Sequence, residues 1–93
     1  MAKKDLDNKP QLHLLKRRSL EEMARVRMFG IAKYKNDTDW VYNDQADYLG
    51  AALRHIYKYL DGNKIDNESG CNHLAHAMIS LMLAYELENI HLE

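Results

Sequence analysis

Cysteine is scarce in this chain, with Cys71 alone among 93 residues. A single thiol forms no internal disulfide, so nothing in the sequence calls for an oxidising compartment. An excess of charge is also missing: 13 Lys and Arg stand against 14 Asp and Glu, for a net charge of -1. That balance removes the electrostatic case for nonspecific binding to a nucleic-acid polymer. No apolar run reaches the roughly 20 residues of a membrane-spanning helix. The start, Met1 to Pro10, is charged and lacks the apolar centre of a signal peptide. Strand-like alternation, internal repeats and low-complexity tracts do not occur. Nor is there a nucleophile elbow, a phosphate loop, a Cys-x-x-Cys pair, a dinucleotide fingerprint or a markedly basic helix. What remains is one small domain, expected to be soluble and intracellular, near the size where a single core is only just sufficient.

What is present is helical patterning. Residues 1 to about 18 read as an irregular arm, charged at first and then apolar at Leu12, Leu14 and Leu15. A single domain over residues 19–93 follows, although the final Leu92-Glu93 has the look of a vector scar and is given no role. Ser19-Leu20-Glu21-Glu22 matches a capping box, with Ser19 as N-cap and Glu22 three residues on. Leu20, Met23, Ala24, Met28 and Ile31 recur at helical spacing, which predicts a first helix to about Tyr34. Lys35 to Asp44 is a polar loop with one large anchor, Trp40. Asn43 or Asp44 can cap a second helix, whose Leu49, Ala52, Leu53, Ile56 and Leu60 form one stripe. Asp61-Gly62-Asn63 should stop it, with Gly62 in the left-handed position. A third helix is predicted from Ser69 to about Asn89, apolar on most sides. Three helices of this size cannot surround one of their own, so a partner chain is expected to complete the bundle.

Chemistry concentrates in Asp66 to Ala77, which packs Asp66, Glu68, His73 and His76 beside a helix start. Histidines three apart are expected on one helical face, where imidazole nitrogens and carboxylate oxygens suit a divalent metal. The structural alternatives are ordinary: Glu68 and Ser69 as caps, and His76 hydrogen-bonded to Ser80 one turn away. Glu22 serves equally as a reciprocal cap or as a ligand, and Glu21 as a solvated first-turn acid. Arg54-His55 lies between apolar positions, so one of the two must approach the core edge; Arg54 suits an anion or an internal carboxylate. Lys33, Tyr34 and Lys35 make a basic-aromatic patch near Trp40, fit to hold a phosphate and stack a base, or simply to cover surface.

In order along the chain, Asn8-Lys9-Pro10-Gln11-Leu12, Glu22 to Val26, Phe29-Gly30-Ile31-Ala32-Lys33-Tyr34 and Trp40 make up a first half. Tyr48 to His55 and Asp66 to Ala77 make up a second. Together they resemble the phage and bacterial dATP/dGTP diphosphohydrolase family, similar to the MazG-like all-α nucleotide pyrophosphohydrolases, over roughly residues 8 to 88. The Glu-rich motifs of MazG relatives do not occur in their usual form, Asp39 stands where the family often has Asn, and a Lys-Arg-Arg run replaces a proline before the first helix. The resemblance implies an all-α protomer that completes its bundle as a homodimer or higher oligomer, in the cytoplasm of a bacterium or phage-infected host. It also implies Mg²⁺- or Mn²⁺-dependent cleavage of a purine deoxynucleoside triphosphate to monophosphate and pyrophosphate. On that basis Glu22, Glu68, His73 and His76 are the expected metal and water-activating cluster, with Asp66 supporting them. Arg54, Lys33 and His55 are expected to neutralise phosphate charge, and Tyr34 or Trp40 to stack on the base. The competing expectations are a non-catalytic module that sequesters a nucleotide or blocks a host factor, and a purely structural helical dimer.

Overall fold

The computed structural model describes residues 8–90. Most of the charged N-terminal start and the Leu92-Glu93 end therefore lie outside the described residues. Three helices carry the fold: α1 at Arg17–Tyr34, α2 at Gln45–Leu60 and α3 at His73–Glu88. Short 3-10 turns occur at Leu12–Leu14 and Asp39–Tyr42. Extended pairing among the described residues is limited to an isolated bridge between Ile65 and Asn72. The architecture is all-α, as the periodicity predicts.

The start of α1 differs from expectation. Lys16 holds the N-cap position without any side-chain cap bond, so Ser19 and Glu22 lie inside the helix and form no capping box. The good helix formers Arg17 and Arg18 carry the helix upstream, and Arg17 pairs with Glu21 one turn on at 2.5 Å. Glu22 pairs instead with Arg25, at 3.3 Å. At the other end Lys35 adopts a left-handed φ of 58°, and its N–H closes on the Ile31 carbonyl at 2.7 Å.

α2 follows Asp44 at its N-cap, although the Asp44 side chain makes no cap bond. It stops as predicted, with Gly62 at φ 99° and the Asn63 N–H donating back to Lys58 at 2.9 Å. α3 begins four residues after Ser69. The Asp66 carboxylate accepts the Ser69 N–H at 2.8 Å, and the Asp66 carbonyl accepts the Gly70 N–H at 2.8 Å. Gly70, at φ 74°, is left-handed and cannot belong to a first helical turn. Asn72 is the true cap, its Oδ1 accepting the Leu74 N–H at 2.8 Å. Asp66 to Asn72 is thus a closed loop that seats Asp66, Glu68 and Ser69 over the start of α3.

α2 and α3 run antiparallel. Gln45, at the start of α2, donates to the Ala84 carbonyl near the end of α3, while His55 meets His73 at the start of α3. The core joins Val26 of α1 to Cys71, Ala75, Ile79 and Leu83, with Met23, Trp40 and Tyr48 packed against it. α3 is the central helix, as its composition predicts, but one copy does not bury it all round. Leu74, Met78, Leu81 and Tyr85 stay exposed, because α1 and α2 cover only two of its sides. Among the described residues no helix is long and apolar enough to cross a membrane.

Candidate functional site

Two adjoining cavities form one groove beside α1. The larger, of about 620 Å³, is lined by the aromatic rings of Tyr34, Trp40 and Tyr48 and by Asn36, Asp37, Asp39 and Asn43. The smaller, of about 320 Å³, is lined by Lys33, His55, Asp66, Glu68, His76 and Ser80. Arg27, Gly30, Tyr34, Tyr48 and Leu83 line both. Such volumes are ordinary for small-molecule sites. Helical spacing explains the wall: Arg27, Gly30 and Tyr34 recur at three and four residues and so share a face of α1. A Cβ added to Gly30 would meet nothing within 4 Å, so the wall shared by the two cavities borders open space there.

The loop over the aromatic end is pinned from several sides. Asn36 Oδ1 accepts the N–H groups of Thr38 and Asp39 at 2.7 and 2.8 Å. Arg27 Nη2 donates to the Asp37 carbonyl at 3.2 Å. The Tyr48 hydroxyl donates to the Trp40 carbonyl at 3.0 Å and accepts from Asn43 Nδ2 at 2.9 Å. A loop that would otherwise be free is therefore tied to both α1 and α2.

The opposite end is built from imidazoles and carboxylates. His55 stacks on His76, with ring centroids 4.4 Å apart and planes 14° from parallel. His55 Nδ1 lies 2.8 Å from His73 Nδ1, so one of the two donates to the other. His76 Nε2 sits 2.6 Å from Ser69 Oγ and 3.7 Å from Asp66 Oδ2. Burial, reinforced by the neighbouring histidines, pushes His55 down to about 4. Burial likewise lowers His76, against the opposing pull of Asp66. Asp66 is raised by burial but ends below its ordinary value, because the Ser69 N–H and hydroxyl outweigh that cost. Lys33 pairs with Glu68 across the groove mouth, and that bond raises its pKa. The Lys33 ammonium also stands 5.9 Å from the Phe29 ring and 5.3 Å from the Tyr34 ring.

Of the residues expected from sequence, Lys33, Tyr34, Trp40, His55, Glu68 and His76 meet in this groove, with Asp66 beside them. Three do not. Arg54 is exposed on α2 and lines neither cavity; His55 turns toward α3, and the preceding position points about 100° away. Glu22 lies one turn before Val26, beyond the end of the groove, and is held by Arg25. His73 is only 3% exposed and faces His55, its ring centroid 6.4 Å from that of His76. The two histidines do not converge as their spacing suggested. His76 also bonds to Ser69 rather than to Ser80. Sequence reasoning missed Arg27, Asn43, Tyr48 and Ser69. Arg27 shares a helical stripe with Gly30 and Tyr34, and Tyr48 and Ser69 lie in the segments that carry the family resemblance.

The four expected metal ligands are not gathered into one cluster. Among the described residues no three His, Cys, Asp or Glu side chains are placed to hold a metal. Glu22 and Glu68 are each engaged by a cation, and His73 by His55. What the groove does offer is an aromatic end, a cationic bridge and a neutral imidazole flanked by a carboxylate.

A protein-family model described as dATP/dGTP diphosphohydrolase, N-terminal, matches residues 1–93. A dATP/dGTP diphosphohydrolase of Salmonella phage PMBT28 is 36% identical over 81 residues, which cover 87% of this chain. The match covers 28% of that relative, so the chain spans well under a third of its length. No solved structure matches. With a family model matching the whole chain, the chain belongs to the dATP/dGTP diphosphohydrolase N-terminal family.

Proposed function

We propose that the groove binds a purine deoxynucleoside triphosphate and serves its hydrolysis to monophosphate and pyrophosphate. The observation that carries this is the continuity of the two cavities through Arg27 and Gly30. A base enters between Tyr34, Trp40 and Tyr48, where stacking on an aromatic ring is worth about 1–3 kcal/mol. The triphosphate then runs past Arg27 toward Lys33, whose charges oppose those that grow on the phosphoryl oxygens. His76 is neutral near pH 7 and acts as the proton acceptor. Ser69 Oγ lies against its Nε2, so once the hydroxyl turns its one proton from Asp66 to the imidazole, a water bonded to that oxygen passes a proton through it to His76. Asp66, 3.7 Å away, stabilises the resulting imidazolium. Lys33 must exchange Glu68 for phosphate on binding, a small cost for an exposed pair.

Binding without cleavage is the second possibility, favoured by the carboxylates of Glu22 and Glu68 being taken up in ion pairs. One experiment separates the two. The purified chain is titrated with dGTP and dATP by calorimetry, then incubated with each in Mg²⁺ and in Mn²⁺, with products resolved by chromatography. Monophosphate and pyrophosphate in equal amounts support hydrolysis. Tight binding with no product assigns the chain to nucleotide capture, and absence of binding removes both.

A further inference from the structure

We propose that the aromatic end of the groove selects guanine over adenine, through hydrogen-bond acceptors carried by the loop between α1 and α2. This deepens the nucleotide proposal and rests on it. The orientation of Asn43 follows from its neighbour. The Tyr48 hydroxyl has one proton, and it is committed to the Trp40 carbonyl at 3.0 Å. The same oxygen can therefore only accept from Asn43, which must turn its NH2 toward it, at 2.9 Å. Asn43 Oδ1 is left as an acceptor at the cavity wall.

Asn36 is oriented by the converse logic. Its Oδ1 takes the Thr38 and Asp39 N–H groups, so its NH2 is the end left to donate. Asp37 and Asp39 line the same cavity, and neither carboxylate has an ion-pair partner among the described residues. The wall thus offers acceptors at Asn43, Asp37 and Asp39 and a donor at Asn36.

Guanine matches that pattern. Its N1–H and N2–H2 form a pair of adjacent donors for a carboxylate, and its O6 accepts from an amide NH2. Adenine presents a lone pair at N1, which a carboxylate repels, and no N2 amine. Lys33 lines only the smaller cavity and Asp37 and Asp39 only the larger, with Arg27 between them and bonded to the Asp37 carbonyl, so these carboxylates lie on the base side of the groove. A bidentate contact of this kind is worth about tenfold or more in discrimination between bases.

The test is calorimetry on the whole chain with dGTP, dATP and dITP, the last being the guanine-like base without its N2 amine. The expected order is dGTP tightest, dITP weaker, and dATP weaker than dGTP by about tenfold. Tyr48→Phe, which keeps the ring and frees the Asn43 amide, should narrow the gap. Asp37→Asn with Asp39→Asn should close it while dATP still binds. Equal affinity for dGTP and dATP in the unaltered chain overturns the selectivity alone. A preference that survives both the Tyr48 and the paired aspartate variants also overturns it. Failure to bind any of the three overturns the nucleotide site and the selectivity together.

Discussion

His55 is the residue whose chemistry departs most from its free value, and it makes a stability prediction. Its folded pKa of about 4 lies below the ordinary 6.5, so between those values the unfolded chain binds a proton that the folded chain refuses. Folding stability is therefore full above pH 6.5, falls as the pH drops toward 4, and then levels off for this group; His76 adds to the same trend. Urea midpoints measured from pH 7.5 to 4.5 should decline, and His55→Gln should flatten the decline. A midpoint unchanged across that range would remove the buried-imidazole account. The two arginines make a second residue-scale prediction. Arg27→Ala should weaken dGTP binding by about tenfold, since charge-assisted bonds to phosphate are among the stronger ones. Arg54→Ala should leave it within about twofold, because Arg54 is exposed and lines neither cavity. Equal losses by calorimetry would place Arg54 back in the site.

Among the elements, α3 shows most directly how a local signal is decided. Ser69 and Glu68 have the composition of a helix start, yet the Asp66 carboxylate captures the Ser69 N–H and Gly70 goes left-handed, which delays the helix to Asn72. Asn72→Ala should therefore cost about 1 kcal/mol in denaturant unfolding, the usual worth of an N-cap. Ser19→Ala should cost only a few tenths, since Ser19 caps nothing. Reversal of that order would restore the capping box at α1. The same loop delivers Asp66 and Glu68 to the groove and sets Ser69 against His76, so its geometry matters more to the site than the helix it precedes.

At the scale of the whole molecule, Leu74, Met78, Leu81 and Tyr85 recur at four, three and four residues along an exposed face of α3. Leu49, Leu53, Tyr57 and Leu60 are exposed on α2 as well. We propose that a second copy covers the α3 stripe, because a near-seven-residue apolar repeat is the pattern that packs helix on helix. Light scattering should give about twice the 10.9 kDa of one chain, and Leu81→Glu should return it to a monomer while circular dichroism stays helical. A monomeric unaltered chain at micromolar concentration would sink the proposal.

The sequence by itself determined what depends on near neighbours. Periodicity placed the three helices, Gly62 marked the end of α2, and the near-continuous apolar run of α3 marked it as central. Lys33, Tyr34, Trp40, His55, Glu68 and His76 were legible as candidates because their residue types and family order survive without coordinates, and the fold brings them to one groove. Tertiary structure decided the rest. Whether His73 or His76 faces the groove turns on how α3 packs against His55 of α2, and spacing alone does not carry that. Glu22 and Arg54 are compatible with a site by type, yet one lies beyond the groove and the other points away from it. Asn43 and Tyr48 look like ordinary loop and helix residues until a single hydroxyl proton, committed to the Trp40 carbonyl, fixes which way the amide turns. Side-chain type is local, but the direction of a donor or acceptor is set by partners distant in sequence.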